Sequence, residues 1–177
     1  MTQEPPPPFP EEVGFGFRGK RDPFGVREKV HLAAAGLPVR WEWMPYWSAP
    51  AAPDSDVSLR YQELLRNSAV CFCPRGDGHD TVRFFEVCWY GRVPIVIGDN
   101  VLMGTDCYDM SFVHQIPTSY SVDKMAEVFR TIARSGKEEL SARGKSARAY
   151  FDNVVRPYFG DPTLSFLRWL YGDQKAS

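Results

Sequence analysis

Arginine, glycine and a carboxylate are grouped between two apolar stretches of the sequence, residues 69–73 and 93–97. A glycine-rich turn lets the backbone approach a ligand closely, and a helix that begins after such a turn presents free N–H groups to an anion. Arginine side chains add charge-assisted hydrogen bonds to phosphate. The grouping therefore predicts an anion site. Its candidate residues are Arg75, Gly76, Gly78, Thr81, Arg83 and the neighbouring carboxylate Glu86.

Two interpretations are open for Arg83 and Glu86, which are three positions apart and share one face of a predicted helix. The first is an exposed ion pair that contributes only a few tenths of a kcal/mol. The second follows from the apolar and aromatic neighbours at 82–90, because two charges on a largely buried helix are costly. In that case the arginine would hold a diphosphate, and the carboxylate would accept hydrogen bonds from ribose hydroxyls.

Strands and helices alternate around this grouping. The strands are predicted at 13–19, 39–43, 69–74, 93–99 and, more weakly, 111–117. The helices are predicted at 26–36, 57–68, 80–91, 121–133, 137–155 and 163–172. Strands joined by helical crossovers predict an α/β fold, a Rossmann-like parallel sheet with helices on both faces. Ligands of such sheets bind at the carboxyl ends of the strands, which is where Arg18, Lys20 and Arg75 would lie.

A literal G-x-G-x-x-G occurs at Gly14–Gly19 and offers a competing hypothesis, a different Rossmann-like enzyme that uses these glycines. No apolar strand precedes the motif, and the next helix is not predicted to open at Gly19. The position of that helix decides between the two hypotheses.

The bulk composition indicates one globular domain of 177 residues, 44% of them hydrophobic. Residues 1–12 are expected to be a proline-rich disordered tail without signal-peptide features, and 13–177 a single domain. A net charge of −1 gives no global reason to expect nucleic acid as a partner. The cysteines are expected to be buried free thiols rather than zinc ligands, with a Cys88–Cys107 disulfide left open.

The stretch CPRGDGHDTVRFFEVCWYGRVPIVIGDN resembles the signature region of the exostosin-like glycosyltransferases. Those proteins share a strand ending in Cys-Pro-Arg-Gly, a helix with Arg, Glu and Gly, and then a Pro-containing Val/Ile strand. Upstream, FGFRGKRDPFGVREKV and YQELLRNSAVCFCPRG are similar to the family's earlier segments, and VDKMAEVFRTI is similar to a later helix. The resemblance covers roughly residues 13–135.

The resemblance implies the C-terminal half of a GT-B fold, the half that binds the nucleotide-sugar donor. Glu86 would hold the ribose and Arg83 the diphosphate, with Arg18 and Lys20 reaching the phosphates. The implied reaction is an inverting transfer to a glycan or glycoprotein acceptor, with no metal and no cofactor, in the Golgi or another endomembrane compartment. Neither a catalytic base nor an acceptor-binding half is identified, so a separate N-terminal domain or a partner chain would have to supply the acceptor site. The alternative is a non-catalytic nucleotide-binding or scaffold domain that keeps the fold.

Overall fold

The computed structural model describes residues 6–45, 55–76, 82–99 and 108–159. The strands are β1 (Phe15–Gly19), β2 (Val39–Trp43), β3 (Val70–Pro74), β4 (Val93–Ile97) and β5 (His114–Ile116). The helices are α1 (Val26–Ala33), α2 (Asp56–Asn67), α3 (Val82–Trp89), α4 (Val122–Ala133), α5 (Lys137–Tyr150) and α6 (Arg156–Phe159). The predicted helix at 163–172 lies outside the described residues.

The strands form one parallel sheet in the order β2-β1-β3-β4-β5. Helices connect and cover the strands, so the predicted α/β class with a Rossmann-like parallel sheet is confirmed. The strand order reverses between β1 and β3. In open parallel sheets a crevice for ligands forms outside the carboxyl ends of the strands at such a reversal.

Side chains of the buried strands alternate between two apolar layers, as the two-residue period of a strand requires. Val70 and Phe72 pack in the layer that includes residues of α1 and α4. Cys71 and Cys73 point the other way, into the layer of α2, α3 and α5. Cys71, Cys73 and Cys88 are buried free thiols, whereas Cys107 lies outside the described residues.

The close packing of α2 against β1 requires a glycine at position 16. A Cβ atom at this position would lie 2.8 Å from Leu64 Cδ2 and would overlap the Ser68 hydroxyl. The glycine therefore lets the C-terminal end of α2 lie against β1. Because α1 begins at Val26, well after Gly19, the G-x-G-x-x-G match lacks the strand-to-helix turn that a dinucleotide fingerprint needs.

Arg92, only 1% exposed, joins the end of α2 to the N-terminal segment. Its Nε donates to the Leu65 carbonyl at 2.9 Å, and its Nη2 donates to the Arg66 and Pro8 carbonyls at 2.9 Å each. The last carbonyls of a helix lack partners within the helix, and a cation near them is favourable. These bonds bring Pro8 of the proline-rich segment against the domain.

The single helix predicted at 137–155 is divided in the structure. Helix α5 ends at Tyr150, a π-helical segment covers Phe151–Val155, and α6 follows. Asp152 pairs with Arg148 at 2.7 Å and with Arg156 at 2.8 Å across this change of helix type. Of the helices in the described ranges, none combines the length and apolar character that crossing a membrane would take.

Candidate anion-binding site

Arg83 of α3 reaches across to the carboxyl end of β1. Its Nη2 donates to the backbone carbonyl of Arg18, and its guanidinium lies 4.8 Å from the centre of the Phe17 ring. Nη2 would be 3.3 Å from a Cβ atom at Gly19, so the glycine leaves room for the guanidinium. The side chain is thus fixed at the crevice between β1 and β3.

Part of this guanidinium has no acceptor. Arg83 Nε and Nη1 are buried and make no hydrogen bond of ordinary geometry with the described part of the chain, although a side-chain hydrogen bond with Tyr61 contributes to the raised pKa of Arg83. Arg75 follows β3, and its Nε is likewise buried without a hydrogen-bond acceptor among the described residues. The Arg75 guanidinium lies 5.0 Å from the centre of the Phe24 ring. Buried polar groups are normally satisfied, and each that is not costs about 1–3 kcal/mol. Donors on two arginines at the sheet's carboxyl edge are suited to the oxygens of a phosphate group.

The electrostatic surroundings keep Arg83 charged. Burial alone would lower its pKa, but Tyr61, Cys73 and Glu86 outweigh this effect, and the pKa of Arg83 is raised. Of these neighbours the carboxylate is the one that is negative at neutral pH. A guanidinium that stays charged in a partly dry site attracts anions more strongly than one in water.

Glu86 lies on the same helix and is only 7% exposed. Its Oε2 accepts a hydrogen bond from the hydroxyl of Tyr61 on α2. Burial and the neighbouring Glu86 raise the pKa of Tyr61 well above its usual value, while Arg83 lowers it. The exposed surface ion pair considered for Arg83 and Glu86 is therefore not what the structure contains, because both charged groups lie within the protein.

Arg27 of α1 belongs to the same crevice, although the sequence did not single it out. Its Nη1 donates to the Lys20 carbonyl at 2.8 Å, and its Nη2 would be 2.6 Å from a Cβ atom at Gly76. The glycine thus makes room for an arginine of the protein itself. An arginine in the first turn of a helix is unfavourable because it opposes the helix dipole. This unfavourable position was the feature of the sequence that could have identified Arg27.

The N–H groups at the start of α1 are already occupied. Asp22 accepts from Val26 N at 3.1 Å and from Arg27 N at 2.8 Å. These N–H groups are therefore not available to bind an anion at the start of α1.

The remaining predicted site residues are placed differently. Arg18 is 6% exposed, and its Nε lies 3.2 Å from the Glu42 carboxylate, so its guanidinium is directed to β2 while its carbonyl serves Arg83. Lys20 contributes its carbonyl to Arg27. Gly78 and Thr81 lie outside the described residues.

Trp43 stands at the end of β2 beside this crevice. The Arg21 guanidinium lies 4.8 Å from its ring centre, and the Phe17 ring meets it edge-on at 5.9 Å. Such an amphipathic aromatic surface is suited to a planar ring, but it also packs as part of the first apolar layer.

An Asp-x-Asp triplet occurs at Asp54-Ser55-Asp56. Ser55 caps α2 by accepting from Ser58 N at 3.2 Å, and Asp56 opens that helix. Asp54 lies outside the described residues. Within the described ranges, no cluster of three or more His, Cys, Asp or Glu side chains is arranged to hold a metal ion.

Comparison with known proteins gives three informative similarities. The chain is 28% identical over 155 residues to the exostosin-1 homolog of Caenorhabditis elegans, covering 79% of this chain and 40% of that relative. It is 37% identical over 57 residues to ribitol-5-phosphate xylosyltransferase 1 of Danio rerio, covering 32% of this chain and 12% of the relative. With the Homo sapiens protein of that name it shares 30% over 79 residues, covering 44% of this chain and 16% of the relative. No family model matches the chain.

The chain spans 40% of the length of the exostosin-1 homolog and less of the xylosyltransferases.

Proposed function

We propose that this chain is the nucleotide-sugar-binding half of an exostosin-type glycosyltransferase. It would bind a nucleoside diphosphate sugar at the β1/β3 crevice, with Arg75 and Arg83 on the diphosphate and Glu86 on the ribose. The glycan or glycoprotein acceptor would be held by another domain or a partner chain, since this chain spans a minor part of the relatives it matches. A Golgi or other endomembrane location is part of the same proposal.

One observation carries the proposal: at the strand-order reversal of a parallel sheet, buried guanidinium nitrogens of Arg75 and Arg83 have no acceptor of ordinary geometry among the described residues. Each such donor costs free energy when it is left without an acceptor, and a ligand can offset that cost. A bound diphosphate supplies the missing acceptors and the negative charge. The similarity to a named xylosyltransferase independently favours a sugar nucleotide over other phosphorylated ligands.

The proposed reaction is a displacement at the anomeric carbon. The acceptor hydroxyl oxygen forms the new bond while the bond from the anomeric carbon to the phosphate oxygen breaks, so the sugar's configuration inverts. The departing nucleoside diphosphate gains negative charge, which Arg75 and Arg83 stabilise more strongly than they stabilise the bound donor. The hydroxyl proton passes to a base on the acceptor side.

Calorimetric titration with UDP, GDP and ADP, and with UDP- and GDP-sugars, tests the proposal. Binding of at least one nucleoside diphosphate is expected, with Arg83→Ala weakening it. Arg66→Gln is the matched control, because Arg66 lies in the last turn of α2, at the opposite edge of the sheet. Absence of binding by the folded wild-type protein would refute the proposal.

The same titration in the presence of EDTA tests metal independence. We expect unchanged affinity because arginines provide the positive charge. A loss of binding that Mg²⁺ or Mn²⁺ restores would instead assign a metal to the donor site and direct attention to Asp54 and Asp56. Binding without sugar transfer, after the acceptor-binding part has been supplied, would favour the scaffold alternative.

A further inference from the structure

We propose that Tyr61 is a positioning residue of the donor site: its hydroxyl holds the Glu86 carboxylate in the orientation that receives the donor's ribose. This inference rests on the proposed function. Tyr61 does not touch the donor in this proposal but acts through Glu86.

The contact joins two helices of the same layer. Tyr61 of α2 packs, partly buried, against the apolar layer that contains Leu64, Leu65 and Cys73. From there its hydroxyl donates to Oε2 of Glu86 on α3. A side chain anchored in one helix thereby restrains a carboxylate that is carried by another.

The hydroxyl acts as a donor and not as a base. Burial of Tyr61 and the charge of Glu86 keep its pKa well above the usual value, so it retains its proton at neutral pH. A carboxylate offers about four lone-pair sites, and a tyrosine hydroxyl uses one of them. The hydrogen bond from Tyr61 therefore does not by itself saturate the carboxylate.

Orientation matters because Glu86 has a strongly attractive neighbour. The charge of Glu86 contributes to the raised pKa of Arg83, so the two groups are electrostatically coupled. A carboxylate that moved closer to the guanidinium would compete with a diphosphate for the same donors. Tyr61 interacts with both groups: its hydroxyl donates to Glu86 from the side of α2, and a hydrogen bond with it contributes to the raised pKa of Arg83. In this proposal Tyr61 thereby keeps the ribose contact of Glu86 separate from the phosphate contact of Arg83.

The experiment compares the ribose and 2′,3′-dideoxyribose forms of whichever of UDP, GDP and ADP binds the wild-type protein most tightly. Tyr61→Phe removes the hydroxyl and keeps the ring. We expect it to weaken binding of the ribose form about 10- to 150-fold, the range for one lost hydrogen bond to a charged group. The dideoxy form has no ribose hydroxyl for Glu86, so its affinity should change by less than about twofold.

Three further variants isolate the mechanism. In a Glu86→Ala background, Tyr61→Phe should cause no additional loss, because the two changes remove one shared contact. Tyr150→Phe is the matched control, since Tyr150 is buried in the same layer and packs on Phe84 of α3. It should leave the ratio of ribose to dideoxy affinity unchanged. Tyr61→Met serves as a second variant without the hydroxyl if Tyr61→Phe does not fold.

The outcomes separate this inference from the proposed function. If the folded wild-type protein binds none of the three nucleotides, both fall. If it binds but Tyr61→Phe leaves the affinity ratio unchanged, or weakens both forms equally, only the positioning role is overturned. A Tyr61 effect that multiplies with that of Glu86→Ala overturns it as well.

Discussion

Replacing both charges of the crevice at once, with Arg83→Met and Glu86→Gln, should separate binding from stability. Single replacements are ambiguous because removing one member of a buried pair of opposite charges leaves the other uncompensated, at roughly 3–5 kcal/mol. The double variant removes both charges while nearly conserving side-chain volume. Its effects on nucleotide affinity and on stability therefore reflect the loss of the two charges, and not an uncompensated charge left in the interior.

The expected loss of nucleotide affinity follows from the donors of Arg83. Nη2 is engaged by the Arg18 carbonyl, whereas Nε and Nη1 have no acceptor in the described part of the chain. Hydrogen bonds to charged groups contribute about 1.5–3 kcal/mol each. Loss of one or two of them predicts a decrease of about 2–5 kcal/mol in binding free energy, or ~30- to several-thousand-fold in Kd.

The expected change in stability is small because opposing terms nearly cancel. The variant loses the bond to the Arg18 carbonyl and the contact with the Phe17 ring, the latter about 0.5–2 kcal/mol. It also removes the cost of burying nitrogens that have no acceptor of ordinary geometry among the described residues, about 1–3 kcal/mol each. We expect the free energy of unfolding to stay within about 2 kcal/mol of wild type.

Urea unfolding and calorimetric titration measure the two quantities on the same preparation. A folded double variant that binds nucleoside diphosphates as tightly as wild type would refute the assignment of Arg83 and Glu86 to the donor site. Reduced stability together with unchanged affinity would assign them a structural role.

Other predictions concern packing, capping and burial. Gly16→Ala should lower the free energy of unfolding by about 1–3 kcal/mol through overpacking, whereas Gly14→Ala, with nothing closer than 3.7 Å to its Cβ position, should have little effect by urea unfolding. Arg92→Met should cost roughly 2–4 kcal/mol and speed amide exchange near the end of α2, since it leaves buried carbonyls without their charged donor. Burial raises the pKa of Cys71 from 9.0 to about 12. Below the pKa of the unfolded thiol, 9.0, both states hold the proton and the stabilisation is fully present. It is lost as the pH rises from 9.0 to about 12, because the thiol ionises in the unfolded state but not in the folded one. The free energy of unfolding should therefore fall by about 1.4 kcal/mol per pH unit in that window, and Cys71→Ala should reduce this slope.

The sequence predicted the secondary structure well where apolar periodicity was strong. The runs at 69–74 and 93–99 correspond to β3 and β4 because strands buried on both faces need continuous apolar residues. The division of the predicted helix at 137–155 was missed, because helix propensity does not distinguish an α-helical turn from a π-helical one.

Side-chain partners across the fold could not be predicted in the same way. The order and register of the strands pair Arg18 with Glu42, and neither is visible in local periodicity. The same holds for Arg27 over Gly76, which depends on α1 and β3 meeting at one crevice. The sequence indicated residue types suited to an anion, whereas the hydrogen-bond partners of each arginine required the structure.

Arg92 and Arg83 are both carried into the interior, but their hydrogen-bond partners differ. Both precede apolar stretches, and both carry a charge into the interior at a cost that something must offset. The named nitrogens of Arg92 all donate to backbone carbonyls, those of Leu65, Arg66, Pro7 and Pro8. Its charge is thereby used within the fold. Arg83 donates to one carbonyl and leaves its other nitrogens buried without an acceptor in the described ranges, so the fold alone does not account for it. A ligand that supplies anionic oxygens at the β1/β3 reversal would account for it, and this is why we propose a binding role for Arg83 and a structural one for Arg92.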